Sequence, residues 1–142
     1  MSMRFILVLS LLIASYANGA SISPRIYNAL NELQQKINEQ PSHKDVADIN
    51  KELDELLEDL SGNSLGMALT YQTLSQLKVY EQKEKESQVY LEKALALKDL
   101  NVDTINQIRS MLAYSFFNSG EYSKAIEQLK LVIQSSEKQS AN

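Results

Sequence analysis

From Ile22 onward, apolar side chains recur every three or four residues and little interrupts them. Pro24, Pro41, Gly62, Gly66 and Gly120 are the only strong helix breakers in that stretch. This spacing gathers apolar residues on one face of a helix and scatters them on a strand, so the chain is read as all-α. The clearest stripe is Val46, Ile49, Leu53, Leu56, Leu57 and Leu60, preceded by Ser42 with Asp45 three residues on, the pattern of a capping box. Before it, Ile26, Leu30, Leu33 and Ile37 form a first helix closed by Pro41. A third helix is expected over about Leu65 to Tyr80. After the charged turn Glu81 to Glu86, a fourth turns Ser87, Tyr90, Leu91, Ala94, Leu95 and Leu97 inward. A fifth carries Ile105, Ile108, Leu112 and Phe116 on one side and is ended by Gly120, a residue free to take the left-handed conformation. In the sixth, Tyr122, Ala125, Ile126, Leu129, Val132 and Ile133 are expected inside, with Ser135 to Asn142 frayed.

Composition narrows the chemistry. The 142 residues are 44% hydrophobic and 23% charged, enough to bury a core. There is no Cys and a single His, and the net charge is −4. Disulfides, thiolate nucleophiles and Cys-ligated zinc are therefore excluded, and there is no basic excess to hold nucleic-acid phosphates. The first 19 residues read as a secretory signal peptide: Arg4, then the apolar run Phe5 to Ile13, then small residues through Ala17 and Gly19. Nine helical residues span roughly 14 Å against about 30 Å of hydrocarbon, so stable membrane insertion is not expected. Cleavage before Ala20 leaves residues 20–142 as one helical domain, with hairpins at about 24–60, 65–98 and 103–135. An exported chain without cysteine and without an Asn-x-Ser/Thr sequon fits a periplasm best, with secretion as the alternative.

The segment Met111 to Ile133 resembles the tetratricopeptide repeat, a helix–turn–helix unit of about 34 residues. Leu112, Ala113 and Phe116 stand where the motif wants large, small and aromatic residues. Gly120 and Tyr122 match its turn, Ala125 its small crossing residue, and Leu129 and Val132 its later packing positions. A weaker copy places Tyr71, Leu74, Ser75, Ser87, Leu91 and Ala94 in the same order, with Lys78 at a position usually aromatic or aliphatic. The first hairpin has the right length but lacks the small-residue signature, as a capping unit would. The resemblance implies an α-solenoid of about three such hairpins. As a whole, the chain is similar to the N-terminal part of exported tetratricopeptide proteins associated with TonB energy-transduction systems of gamma-proteobacteria.

The resemblance also implies a groove lined by the first helix of each unit: Leu69, Gln72, Gln76, Val79 and Tyr80 from one, and Gln107, Ser110, Tyr114, Phe117 and Asn118 from the next. Such a groove would hold a protein or peptide partner, with aromatic anchors and amide hydrogen bonds. It contains no Lys or Arg, so the carboxylate clamp of some family members is not expected. Tyr114 and Phe117 beside Phe116 make an aromatic cluster larger than one helix face buries, to be exposed in the groove or covered by a partner, a following helix or the C-terminal tail. The carboxylates Asp48, Glu52, Glu55 and Asp59 share one helix face and read as its solvated back. A straight helix spreads such oxygens along its axis, whereas Ca²⁺ wants six to eight of them around one point. His43 lies in a turn with no Ser, Asp or Cys partner at motif spacing. No catalytic, cofactor or metal site is expected, and a protein-binding scaffold, or alternatively a self-associating structural protein, is.

Overall fold

The computed structural model describes residues 21–142, and the expected signal peptide lies outside them. Six helices follow one another: α1 (Pro24–Asn38), α2 (His43–Asp59), α3 (Ser64–Tyr80), α4 (Glu84–Leu95), α5 (Val102–Asn118) and α6 (Tyr122–Ser140). No strand occurs among the described residues.

Local chemistry sets most of the boundaries. Ser23 caps α1 by accepting from the Ile26 N–H, with Pro24 in the first turn where a missing N–H costs nothing. Ser42 and Asp45 form the expected capping box: the Ser42 hydroxyl accepts the Asp45 N–H at 3.3 Å, and the Asp45 carboxylate accepts the Ser42 N–H at 3.0 Å. The Ser42 hydroxyl also donates to that carboxylate at 2.6 Å, and these bonds hold the Asp45 carboxyl below its usual value. Asn63 and Asn101 cap α3 and α5 in the same manner. Two boundaries differ from expectation. α4 stops at Leu95, which leaves Leu97 in the connector, still packed against the core. α6 continues to Ser140 through the segment expected to fray, because Ser135 bonds Asn106 of α5 at 2.6 Å and Gln139 reaches Asp103.

α3 packs chiefly on α4, and α5 on α6. α4 lies against α5, and both α1 and α2 rest on α3. Every substantial contact thus joins helices next to each other, or one apart, in the chain. One core cluster joins α1, α2 and α3 through Leu30, Leu33, Ile49, Leu53, Leu74 and Leu77; a second joins α3 to α6 through Ala68, Leu91, Ala94, Ile108, Leu112, Phe116 and Ala125. α3 therefore serves both clusters and is buried on nearly every side. Its buried hydroxyls are satisfied within the helix, Thr70 donating to Gly66 O at 2.8 Å and Thr73 to Leu69 O at 3.0 Å. Gly66 lets the end of α2 come close, since a β-carbon there would lie 2.7 Å from a Leu60 methyl.

The second and third hairpins share one turn geometry, offset by 38 residues. Gln82 and Gly120 are both left-handed, at φ 63° and 78°. Lys83 N–H bonds Lys78 O at 2.8 Å, and Glu121 N–H bonds Phe116 O at 2.8 Å. Small residues meet at both crossings: Ser75 and Ser87 hydroxyls lie 2.8 Å apart, and their counterparts Ala113 and Ala125 are buried. Lys78, buried at a position where an apolar residue was expected, donates to Asn50 of α2 at 3.1 Å and to Glu81 at 2.8 Å. Burial alone would raise the Glu81 carboxyl, but hydrogen bonds from Lys78 and Lys83 outweigh it and hold it below the usual glutamate range.

Two predictions follow from these contacts. A left-handed residue other than glycine costs about 1 kcal/mol, so Gln82→Gly should raise stability by that order and Gly120→Ala lower it similarly, read by urea melts. Because the Glu81 carboxyl is lowered in the folded state, its stabilisation is complete above the ordinary value of 4.5 and is lost as pH falls through the folded one. Melting temperature should therefore fall less steeply with acid below about pH 5 in Glu81→Gln than in the native chain.

Candidate binding surface

α5 is divided lengthwise. Thr104, Ile108, Leu112, Ser115 and Phe116 are buried, while Ser110, Tyr114 and Phe117 face outward. The Gly120 turn then brings α6 alongside, so that the Phe117 and Tyr122 rings meet edge to face with centroids 5.5 Å apart. Ala113 and Ala125 stay buried and form the floor of a cleft of about 390 Å³; Ser110, Tyr114, Phe117, Tyr122, Ile126 and Leu129 form its walls. No charged side chain lines it. A hollow of about 560 Å³ near the end of α6 is lined by that helix and Ala141 alone and encloses nothing.

Exposure concentrates on this face. Of nine exposed large hydrophobic residues, six lie here: Tyr114, Phe117, Tyr122, Ile126, Leu129 and Ile133, each between 45% and 59% exposed. Half of each such side chain leaves roughly 500–600 Å² of apolar surface in one patch, the upper end of what a monomeric protein shows. The expectation that Tyr122, Ile126, Leu129 and Ile133 lie inside is overturned. Those positions are covered in the preceding hairpin, where Gln88 and Leu91, 38 residues earlier than Ile126 and Leu129, are buried against α5. Among the described residues α6 packs substantially on α5 alone.

The groove expected across both units is not continuous. Ser110, Tyr114 and Phe117 are brought together; Asn118 is exposed near them, and Gln107 is half-buried. On α3, Val79 is exposed and Gln76 half-buried. Gln72 and Leu69, however, are buried, and half-buried Tyr80 donates to the Pro41 carbonyl at 2.8 Å, which ties it to the α1–α2 turn. The reason lies in position. α3 has α1, α2 and α4 around it and shares a core with α5, so helix positions that point outward on α5 point inward on α3. Among the packing residues, Leu74, Ser75, Ser87, Leu91, Ala94, Leu112, Ala113, Phe116 and Ala125 are buried, whereas Tyr71 and Val132 are half-buried. The signal that could have found the extra wall is the width of the apolar arc on α6, which exceeds what one neighbouring helix covers.

Polar groups between the hairpins hold the cleft's base in place. Gln88 donates to the Ser115 and Ser119 hydroxyls at 3.3 and 3.1 Å, Ser115 donates to the Glu84 carboxylate at 3.0 Å, and Lys85 pairs with Glu121. The carboxylates Asp48, Glu52, Glu55 and Asp59 are all exposed, with Glu52 paired to Lys36 and Glu55 to Lys51. Among the described residues no cluster of three His, Asp or Glu could hold a metal ion, and no helix is long and apolar enough to cross a membrane.

No protein family, curated protein or solved structure matches the chain.

Gln72 is only 1% exposed, and neither its amide nitrogen nor its amide oxygen has a hydrogen-bond partner. An unpaired buried amide costs about 1–3 kcal/mol. Gln72→Met, of similar volume, should therefore raise the chemical-denaturation midpoint by an amount worth about 1–3 kcal/mol, without loss of helical circular dichroism.

Proposed function

We propose that this chain is a non-enzymatic protein-interaction module, an α-solenoid of three tetratricopeptide-like hairpins that holds another polypeptide in the cleft between α5 and α6. The observation that carries the reading is the chargeless apolar wall of Tyr114, Phe117, Tyr122, Ile126 and Leu129 over a floor of two alanines. Such a surface gains free energy when covered and presents no charge to pair with a phosphate or a carboxylate. The common turn geometry of the second and third hairpins and the small residues at both crossings support the repeat assignment.

The floor residues let a backbone approach closely, while the aromatic rings on either side supply anchors of the type that dominate binding energies. An occupant that is itself an amphipathic helix suits the face best, because on the preceding hairpin the corresponding surface is taken by α5. The site of action in this reading is the periplasm, reached by way of the N-terminal signal, with an accessory role beside a TonB-type energy-transduction system suggested by the resemblance.

Replacing Tyr114 and Phe117 together with Ala should reduce capture of cell-envelope protein by the immobilised domain at least tenfold, since each is an exposed aromatic anchor. Helical circular dichroism should be unchanged. Equal capture by the variant and the native domain would remove the cleft as the binding surface.

A further inference from the structure

Resting on that reading of the cleft, we propose that its occupant is a second copy of this chain, docked face to face about a two-fold axis. The two sides of the molecule are unlike. The exposed residues of α1 and α2 are almost all polar or charged, Arg25, Glu32, Lys36, Asp48 and Glu55 among them, whereas the cleft between α5 and α6 has an uncharged, mainly apolar lining, with the charges of Glu127 and Lys130 at its rim. A head-to-tail contact would press apolar side chains against those charges. Between two copies of this chain the face meets an apolar match only in the same face of the other, which makes the contact isologous and closes it at two chains.

The stripe on α6 is self-complementary in an antiparallel arrangement. Tyr122, Ile126, Leu129 and Ile133 are spaced so that, about a centre between residues 127 and 128, Tyr122 falls opposite Ile133 of the second copy and Ile126 opposite Leu129. With roughly 600 Å² contributed by each copy, the pair buries about 1,200 Å², the lower edge of a stable specific interface. No charged residue lines the cleft; the nearest in this register, the exposed Lys130, falls opposite Ala125 of the second copy, and its long stem carries the ammonium out to the rim. Two of the equivalent positions 38 residues earlier, Gln88 and Leu91 on α4, are buried against α5 within the fold.

The absence of cysteine gives a direct test, since one introduced thiol is the only thiol in the molecule. The mature domain is examined by light scattering from 1 to 100 μM as the native chain and as Ile126→Glu, whose side chain points to solvent and whose fold is checked by circular dichroism. In parallel, Leu129→Cys and the control Asp48→Cys are treated with a short bis-maleimide. The proposal expects a native dimer in that range, a dissociation constant raised more than tenfold by Ile126→Glu, and cross-linked dimer from Leu129→Cys but not from Asp48→Cys. A native chain that stays monomeric, a dimer that Ile126→Glu leaves intact, or equal cross-linking from both thiols overturns it. If the chain is monomeric while the Tyr114 and Phe117 double variant still loses its captured protein, the second copy is wrong and the cleft stands as a site for another polypeptide. If that capture is also unaffected, both readings fall.

Discussion

A pair of helices packed on each other covers only the stripe where they touch; whatever apolar surface lies outside that stripe has to be met by the next pair. This constraint organises the whole molecule. α1 and α2 carry narrow apolar stripes and rest them on α3, which leaves their backs to polar residues. α3 is met from all sides and buries ten of its residues, including four with hydroxyl or amide side chains. α4 is covered by α5 in turn. Among the described residues α6 has no such further neighbour, and its surplus apolar arc is exposed.

Much of the helical organisation was legible from spacing and caps. The Ser42–Asp45 box and the Gly120 turn are local devices whose geometry needs only a few neighbouring residues, so short windows of sequence reveal them. What escaped was decided at longer range. Gln72 and Gln107 occupy similar helical surroundings in the sequence, yet one is sealed within the most crowded helix and the other is half-open on a helix with fewer neighbours. Tyr122 and Ile126 look like interior residues because their spacing is that of a buried stripe; nothing in the stripe itself says whether a covering element exists. Half of the cleft was therefore foreseeable from α5, and the α6 wall was not.

The two related turns show how one backbone conformation tolerates different residues at different cost. Gly120 enters the left-handed region freely, whereas Gln82 reaches it under strain and is held there by the bond between Lys83 N–H and Lys78 O. The same Lys78 ties α2 to α3 through Asn50 and engages Glu81 at the start of the turn. A cation at a position expected to be apolar thus replaces nonspecific packing with directed bonds to two partners, which specify where the first hairpin sits on the second.

Only Ala125 is buried on α6, and the helix leans on a single neighbour. Its amide protons are consequently shielded by less of the structure than those of α3, and transient detachment of this one rod takes only Ala125 out of the second core and leaves the first untouched. Solvent deuterium would enter the molecule from its C-terminal edge and reach the centre last. Any companion that clamps α6 would reverse that order, converting the loosest element into one of the most slowly exchanging.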